Sequence, residues 1–150
     1  MRKWLFSNGT SATSASLGLL FLRVGIGVLM ITQHGWQKYQ NFAELKEKFT
    51  VPKTILLNSW MNPTTSLACT VFAEVACCAL LILGMATRPA AAVLAFTMGI
   101  AAFVVLGDQP WANRELGLLY LTGALTLLFT GAGAFSFDAR FCVVKKRMFR

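Results

Sequence analysis

The chain contains 150 residues, of which 56% are hydrophobic and 13% are charged, whereas soluble domains usually carry about 25% charged residues. This composition argues against a soluble globular domain and favours a membrane protein with a single domain. The net charge of +8 does not indicate nucleic-acid binding, because the basic residues flank apolar segments and therefore suit anionic lipid headgroups better.

Four apolar segments are predicted to be membrane helices. They cover about residues 16–38, 64–86, 90–107 and 115–131. About twenty helical residues, rising 1.5 Å each, cross a hydrocarbon core of about 30 Å, and the third and fourth segments are slightly shorter than this. The sequence therefore predicts an all-α integral membrane four-helix bundle, with residues 1–150 as one domain and successive helices running in opposite directions.

The connections between these segments contain turn residues. The stretch 63–66, Pro-Thr-Thr-Ser, predicts a turn and N-cap at the start of the second helix. A short reversal over residues 84–89 predicts that the second and third helices are antiparallel neighbours, with Pro89 at the first position of the third. Residues 42–49 carry apolar side chains at positions i, i+3 and i+7, which predicts a short amphipathic helix on the membrane interface.

The distribution of Lys and Arg near the helix ends predicts the orientation. With both termini inside, the cytoplasmic side holds Arg2, Lys3, Arg88, Arg140, Lys145, Lys146, Arg147 and Arg150. The opposite side holds Lys38, Lys46, Lys48, Lys53 and Arg114. This excess predicts a multi-pass protein with both termini in the cytoplasm. Residues 7–16 are polar where a signal peptide needs an apolar core, so the first helix is predicted to be an uncleaved anchor.

Two charged residues lie inside the apolar segments, Arg23 in the first and Glu74 in the second. Charges at membrane depth cost roughly 2.5–3.5 kcal/mol each, so they persist mainly where they are paired or functional. Arg23, His34 and Lys38 share one stripe of the first helix at helical spacing. We expect this stripe to face the bundle interior, with an Arg23–Glu74 contact that either fixes the helix register or lines a polar pocket.

His34 and Glu115 lie near the predicted outer boundary of the bundle. Glu115 opens the fourth helix on the same side as His34 and Lys38, so a His34–Glu115 or Lys38–Glu115 pair would close the outer mouth. An imidazole beside a carboxylate can exchange protons near neutral pH. The sequence holds one histidine, which excludes a haem held by two histidines, and no metal site is predicted.

The four cysteines, Cys69, Cys77, Cys78 and Cys142, form neither a CxxC motif nor a zinc-ligand pattern. Three of them lie in the second predicted helix, where a free cysteine commonly behaves as a small apolar residue. A structural disulfide framework is therefore not predicted. A redox role for Cys69, Cys77 and Cys78 is the less favoured reading and stays open.

Several short motifs, taken in chain order, resemble a known family. They are Arg23 in the first helix, Gln33-His34-Gly35-Trp36-Gln37-Lys38, a second helix with Glu74 that leads into Leu83-Gly84-Met85-Ala86-Thr87-Arg88-Pro89, then Trp111-Ala112-Asn113-Arg114-Glu115, and residues 130–138. Together they resemble the DoxX family of small four-helix bacterial inner-membrane proteins, over about residues 16–138. The chain departs from the family in having Ala132 where proline is usual in a Thr-Gly-Pro-Gly turn, and it lacks the CxxC motif of some relatives.

The resemblance implies a membrane subunit that supports a quinone-linked oxidoreductase of the thiosulfate:quinone type. It also implies that Arg23, His34, Lys38 and Glu74, with Glu115 at the mouth, line a pocket for a quinone headgroup or a small sulfur oxyanion. The expected partners are the lipid bilayer of the bacterial inner membrane, oxidoreductase subunits and further copies of the chain. Electrons could cross such a chain only through a bound cofactor, so it is not expected to be a complete enzyme alone.

Two other functions fit the same residues. A small transporter or permeation module would conduct protons or a small anion along the stripe. A non-catalytic membrane scaffold would use the buried charges only to hold its helices together.

Overall fold

The computed structural model describes residues 12–52 and 61–140, and every regular element within these residues is a helix. The predicted all-α class is confirmed. The helices are α1 (Ala12–Gln40), α2 (Phe42–Leu45), α3 (Pro63–Leu83), α4 (Thr87–Val105) and α5 (Trp111–Thr130). A last helical turn covers residues 137–140.

Three of these helices, α1, α3 and α4, are long and apolar enough to cross a membrane. Helix α5 has 20 residues, but its first turns carry Asn113, Arg114 and Glu115, so its role as a fourth span stays a prediction. The cytoplasmic location of both termini stays a prediction as well. Many of the basic residues on which this prediction rests lie outside the described residues, namely Arg2, Lys3, Lys53, Lys145, Lys146, Arg147 and Arg150. Residues 7–11 of the polar stretch and Cys142 lie outside them as well.

The four long helices pack around one apolar core. Helix α4 packs along α5, and α1 packs against both α3 and α5. The core contains buried side chains from all four: Met30, Cys77, Cys78, Leu81, Leu94, Met98, Tyr120 and Leu127. Cys77 and Cys78 therefore act as small core residues here, whereas Cys69 is exposed on the same helix.

Glycines set how closely α1 approaches α3. A methyl group added at Gly35 would lie 3.1 Å from the carbonyl oxygen of Glu74. One added at Gly27 would lie 2.9 Å from the carbonyl oxygen of Cys78. The two helices are thus antiparallel neighbours in near backbone contact, a packing that small residues permit. This contact places Glu74 level with Gly35 near the C-terminal end of α1.

The structure corrects several predicted helix boundaries. Helix α3 begins at Pro63 with Asn62 as its N-cap, whose side-chain oxygen accepts a hydrogen bond from the Thr65 amide at 2.8 Å. It ends at Leu83 and not at residue 86, because Gly84 adopts a left-handed conformation with φ of +68°. Helix α1 extends beyond the predicted 16–38 at both ends.

The other boundary corrections concern α2, α4 and α5. The predicted interfacial helix over residues 42–49 is limited to Phe42–Leu45. Helix α4 begins at Thr87, before the predicted residue 90, so Pro89 lies in its first turn and not at its first position. Pro89 is tolerated there because the first helical turn leaves its N–H groups unpaired in any case. Helix α5 begins four residues before the predicted 115, at Trp111.

The substitution Gly84→Ala tests the turn between α3 and α4. A left-handed conformation costs an L-residue roughly 1–2 kcal/mol, and the added methyl group would also lie 2.7 Å from Cβ of Ser136. We therefore expect a lower midpoint of thermal unfolding in detergent. The control is Gly99→Ala on α4, where the added methyl group meets no described atom within 4 Å. Equal unfolding midpoints for the two variants would contradict the proposed role of Gly84.

Candidate functional site around Glu74

Glu74 is a buried carboxylate on α3, with 3% of its surface exposed. Its Oε1 atom accepts a hydrogen bond from Nζ of Lys38 on α1 at 2.5 Å. Its Oε2 atom is also buried and has no hydrogen-bond partner among the described residues. The Lys38 side chain is 26% exposed, so the ion pair reaches from the interior toward the surface.

Both sides of this ion pair are close to π-helical turns. Glu74 lies in the π-helical stretch Phe72–Cys77 of α3, and His34 lies in the stretch Ile31–Gly35 of α1. The two stretches pack against each other. An insertion of this kind rotates the following side chains relative to a regular α-helix, and such turns are frequent at functional sites. The local backbone therefore contributes to bringing Lys38 onto Glu74.

Tyr120 of α5 completes the cluster from a third helix. Its ring meets the His34 ring edge to face, with centroids 5.8 Å apart and an interplanar angle of 88°. Tyr120 is 7% exposed and lies within electrostatic reach of Glu74 and Cys78. We refer to His34, Lys38, Glu74 and Tyr120 as the Glu74 centre. Tyr120 was not predicted as a site residue, although a phenol in an otherwise apolar part of α5 indicates a buried polar group.

Arg23 does not belong to this centre, and the predicted Arg23–Glu74 contact is wrong. Arg23 precedes Lys38 by fifteen residues, which is roughly 22 Å along a helix. Because α1 and α3 are antiparallel, Arg23 lies beside Gly84, directly after the C-terminal end of α3, whereas Glu74 lies near the middle of that helix. Its Nη2 atom donates a hydrogen bond to the carbonyl oxygen of Phe135.

Glu115 also lies apart from the Glu74 centre. It is exposed on α5, and neither the His34–Glu115 nor the Lys38–Glu115 pair is present. Within residues 12–52 and 61–140, the ion pair formed by side chains is Lys38–Glu74. The buried carboxylate binds the ammonium of Lys38, and this leaves Glu115 to face solvent or headgroups.

A second polar cluster holds the end of the bundle that contains the α3–α4 turn. The Asp138 carboxylate accepts hydrogen bonds from the amides of Ala86 and Thr87 at 2.8 and 2.9 Å. The Asp138 amide in turn donates to the Gly84 carbonyl at 2.9 Å. Burial raises the pKa of Asp138, but the Thr87 and Ala86 hydrogen bonds and the Arg23 charge outweigh it, so the pKa lies below its usual value.

This cluster gives Arg23 a structural role. Arg23 is 2% exposed, and its guanidinium joins α1 to the segment after α5 through Phe135 and the nearby charge of Asp138. Arg23 is therefore a buried charge of the kind expected to fix helix register. It does so beside Phe135 and Asp138, however, and not through Glu74.

An open groove of about 650 Å³ lies beside the Glu74 centre. Its lining is mainly apolar and comes from the C-terminal end of α1, α2 and the first half of α3: Tyr39, Gln40, Phe42, Ala68, Val71 and Phe72. Tyr39 follows Lys38 directly, and Val71 precedes Glu74 by three residues, which is about one helical turn. The groove therefore lies close to the ion pair along both α1 and α3.

The fold and this site define a class: a small helical membrane protein with a buried ion pair between two of its spanning helices. The family model described as DoxX matches residues 18–107, which are 90 of the 150 residues. The chain belongs to the DoxX family. The match includes Arg23, His34, Lys38 and Glu74, and it ends before Tyr120 and Asp138. No curated protein and no solved structure matches the chain.

The substitution Asp138→Asn tests the second cluster. The Asp138 carboxylate caps the N-terminal end of α4 by binding the amides of Ala86 and Thr87, and a helix N-cap contributes about 1 kcal/mol to stability. Because folding lowers the Asp138 pKa, its stabilisation is present above the unfolded pKa of about 3.9 and is lost as pH falls through the folded value. We expect the variant to unfold at lower temperature than the wild type at pH 7, with the difference shrinking below about pH 4.

The matched control for this prediction is Asp108→Asn, at an exposed position between α4 and α5. It should unfold like the wild type at both pH values. A difference between wild type and Asp138→Asn that stays constant from pH 7 to pH 3 would contradict the assignment.

Proposed function

We propose that this DoxX-family chain is an inner-membrane subunit of a quinone-linked oxidoreductase, in which the Glu74 centre binds the quinone headgroup. The observation that supports this most strongly is the buried Glu74 carboxylate, ion-paired through Oε1 and without a partner at Oε2 among the described residues. Such an intramembrane ionisable group is expensive to bury and usually serves a function.

The chemistry of the centre suits quinone reduction and quinol oxidation. Each conversion moves two electrons and two protons between the ring oxygens and their surroundings. The Glu74 carboxylate and the His34 imidazole can take up or release a proton, and the Lys38 ammonium and the Tyr120 hydroxyl can donate hydrogen bonds to a ring oxygen. The proposal assigns binding and proton transfer to this chain, and electron transfer to a partner subunit.

The corrected positions of the cations favour a neutral ligand over a sulfur oxyanion. Arg23 lies with Phe135 at the other end of the bundle, so one of the two cations expected in an anion pocket is absent from the centre. The other, Lys38, is already paired with Glu74. The same pair is the basis of the second candidate, a proton path that begins at the partly exposed Lys38. An anion-conducting module has less support, because a carboxylate lies in its path.

The predicted orientation separates the two clusters in depth. With both termini in the cytoplasm, the Arg23–Asp138 cluster lies at the cytoplasmic side. The Glu74 centre then lies deeper, near the middle of α3 and toward the outer, C-terminal end of α1. Quinones dissolved in the bilayer would approach it laterally, along the groove lined by Tyr39, Val71 and Phe72.

Binding of a short-chain benzoquinone to the protein in lipid nanodiscs tests this proposal. We expect saturable binding to the wild type, and binding weaker by about tenfold or more in Lys38→Met, because this variant removes a donor to the ring oxygen and leaves the buried Glu74 carboxylate unpaired. Size-exclusion chromatography before each titration establishes that the variants are folded.

The control makes the same chemical change at an exposed position, Lys48→Met, in the turn after α2. It should bind the quinone like the wild type. The proposal fails if the wild type shows no saturable binding, or if the Lys38 and Lys48 variants bind equally well. A loss of proton uptake by proteoliposomes in Glu74→Gln, without any quinone binding by the wild type, would favour the proton path.

A further inference from the structure

We infer that the Glu74 centre selects a ligand that donates a hydrogen bond, and therefore binds hydroquinone in preference to quinone. The inference rests on the proposed function and specifies the redox form of the ligand. Its starting point is Oε2 of Glu74, a buried carboxylate oxygen without a hydrogen-bond partner among the described residues. A buried charged acceptor without a donor is unfavourable, so a ligand that supplies the donor is strongly favoured.

The two redox forms of the ligand differ at this point. The ring oxygens of a quinone only accept hydrogen bonds, so one of them facing Oε2 would bring two acceptors together. A hydroquinone carries O–H groups that donate, and one of them can bind Oε2 directly. The Lys38 ammonium has three N–H donors, of which one bonds to Oε1 of Glu74. A second N–H can donate to the same hydroxyl oxygen of the ligand.

Small anions do not fit the Glu74 centre as the preferred ligand. A sulfur oxyanion offers only acceptor oxygens and negative charge to Oε2 of Glu74. The charges of Lys38 and Glu74 cancel within their ion pair, and the buried guanidinium of Arg23 is held at Phe135 near the α3–α4 turn. A neutral hydroxyl compound is therefore the class of ligand that the centre fits.

The neighbouring groove suits the apolar part of such a ligand. Its lining is mainly apolar and has a volume of about 650 Å³. The rim is open, because Tyr39 is 58% and Phe72 is 56% exposed. We assign this groove to the alkyl-substituted side of the hydroquinone, with the ring extending from the groove to bring one hydroxyl group against Oε2 of Glu74.

Anaerobic titration of the wild type in nanodiscs tests this inference. The three ligands are a decyl-substituted benzoquinone, its hydroquinone and the dimethyl ether of that hydroquinone. The dimethyl ether keeps the ring and the tail but has no O–H donor. We expect the hydroquinone to bind about tenfold more tightly than either other compound, because sites built around a hydrogen bond reject analogues that lack it. Thiosulfate at millimolar concentration should not displace the hydroquinone.

Variants test whether the preference for hydroquinone over quinone depends on Glu74. In Glu74→Gln the ratio of hydroquinone to quinone affinity should fall to about threefold or less, because the amide presents a donor as well as an acceptor. The ratio should be unchanged in Glu47→Gln. Equal or tighter binding of the quinone, tight binding of the dimethyl ether, or displacement by thiosulfate would overturn the inference while leaving quinone binding intact. If none of the three ring compounds binds saturably, the proposed function itself fails.

Discussion

The close contact of α1 with α3 at Gly27 and Gly35 determines the position of the charged groups in this protein. Because no side chain separates the two backbones at Gly35, the Glu74 carbonyl lies against α1. This fixed register brings Lys38 to Glu74 and Arg23 to the α3–α4 turn. A shift by one turn would separate Lys38 from Glu74 and Arg23 from Phe135. It would leave the buried Glu74 carboxylate and the buried Arg23 guanidinium without compensation, which is very unfavourable in an apolar bundle.

The two polar clusters differ in ways that follow from their side chains. Arg23 is 2% exposed and holds the segment after α5 through its planar guanidinium. Lys38 has a flexible stem, is partly exposed, and pairs with a carboxylate whose second oxygen has no hydrogen-bond partner in the part of the chain that the structure describes. The first arrangement suits a permanent connection between elements. The second can exchange partners, as a ligand-binding or proton-transfer site requires.

Much of this could be predicted from the sequence. Hydropathy and length predicted the helices, and helical spacing identified the stripe of α1 that faces the interior, with His34 and Lys38 on it. The partners of Arg23 and Lys38 could not be predicted. The predicted Arg23–Glu74 pair assumed that the centres of α1 and α3 lie at about the same depth in the membrane. Helix α1 is 29 residues long, and both helices contain π-helical turns that regular spacing does not represent. Asp138 joins its cluster through tertiary packing, for which local sequence gives little signal, and the phenol of Tyr120 stands out in an apolar part of α5 without indicating its partner.

The bond between Arg23 and Phe135 has a consequence for the biogenesis of the protein. The two residues are separated by 112 positions, so α1 is synthesised and inserted long before its guanidinium can reach that carbonyl. Until then the charge must be sheltered by the translocation machinery, by water or by an early pairing of α1 with α3. A chain cut after α5 would contain the four long helices described above but would lack Phe135 and Asp138, which the Arg23 guanidinium faces. The smallest unit that keeps these partners of Arg23 therefore extends beyond the matched family region, to Asp138.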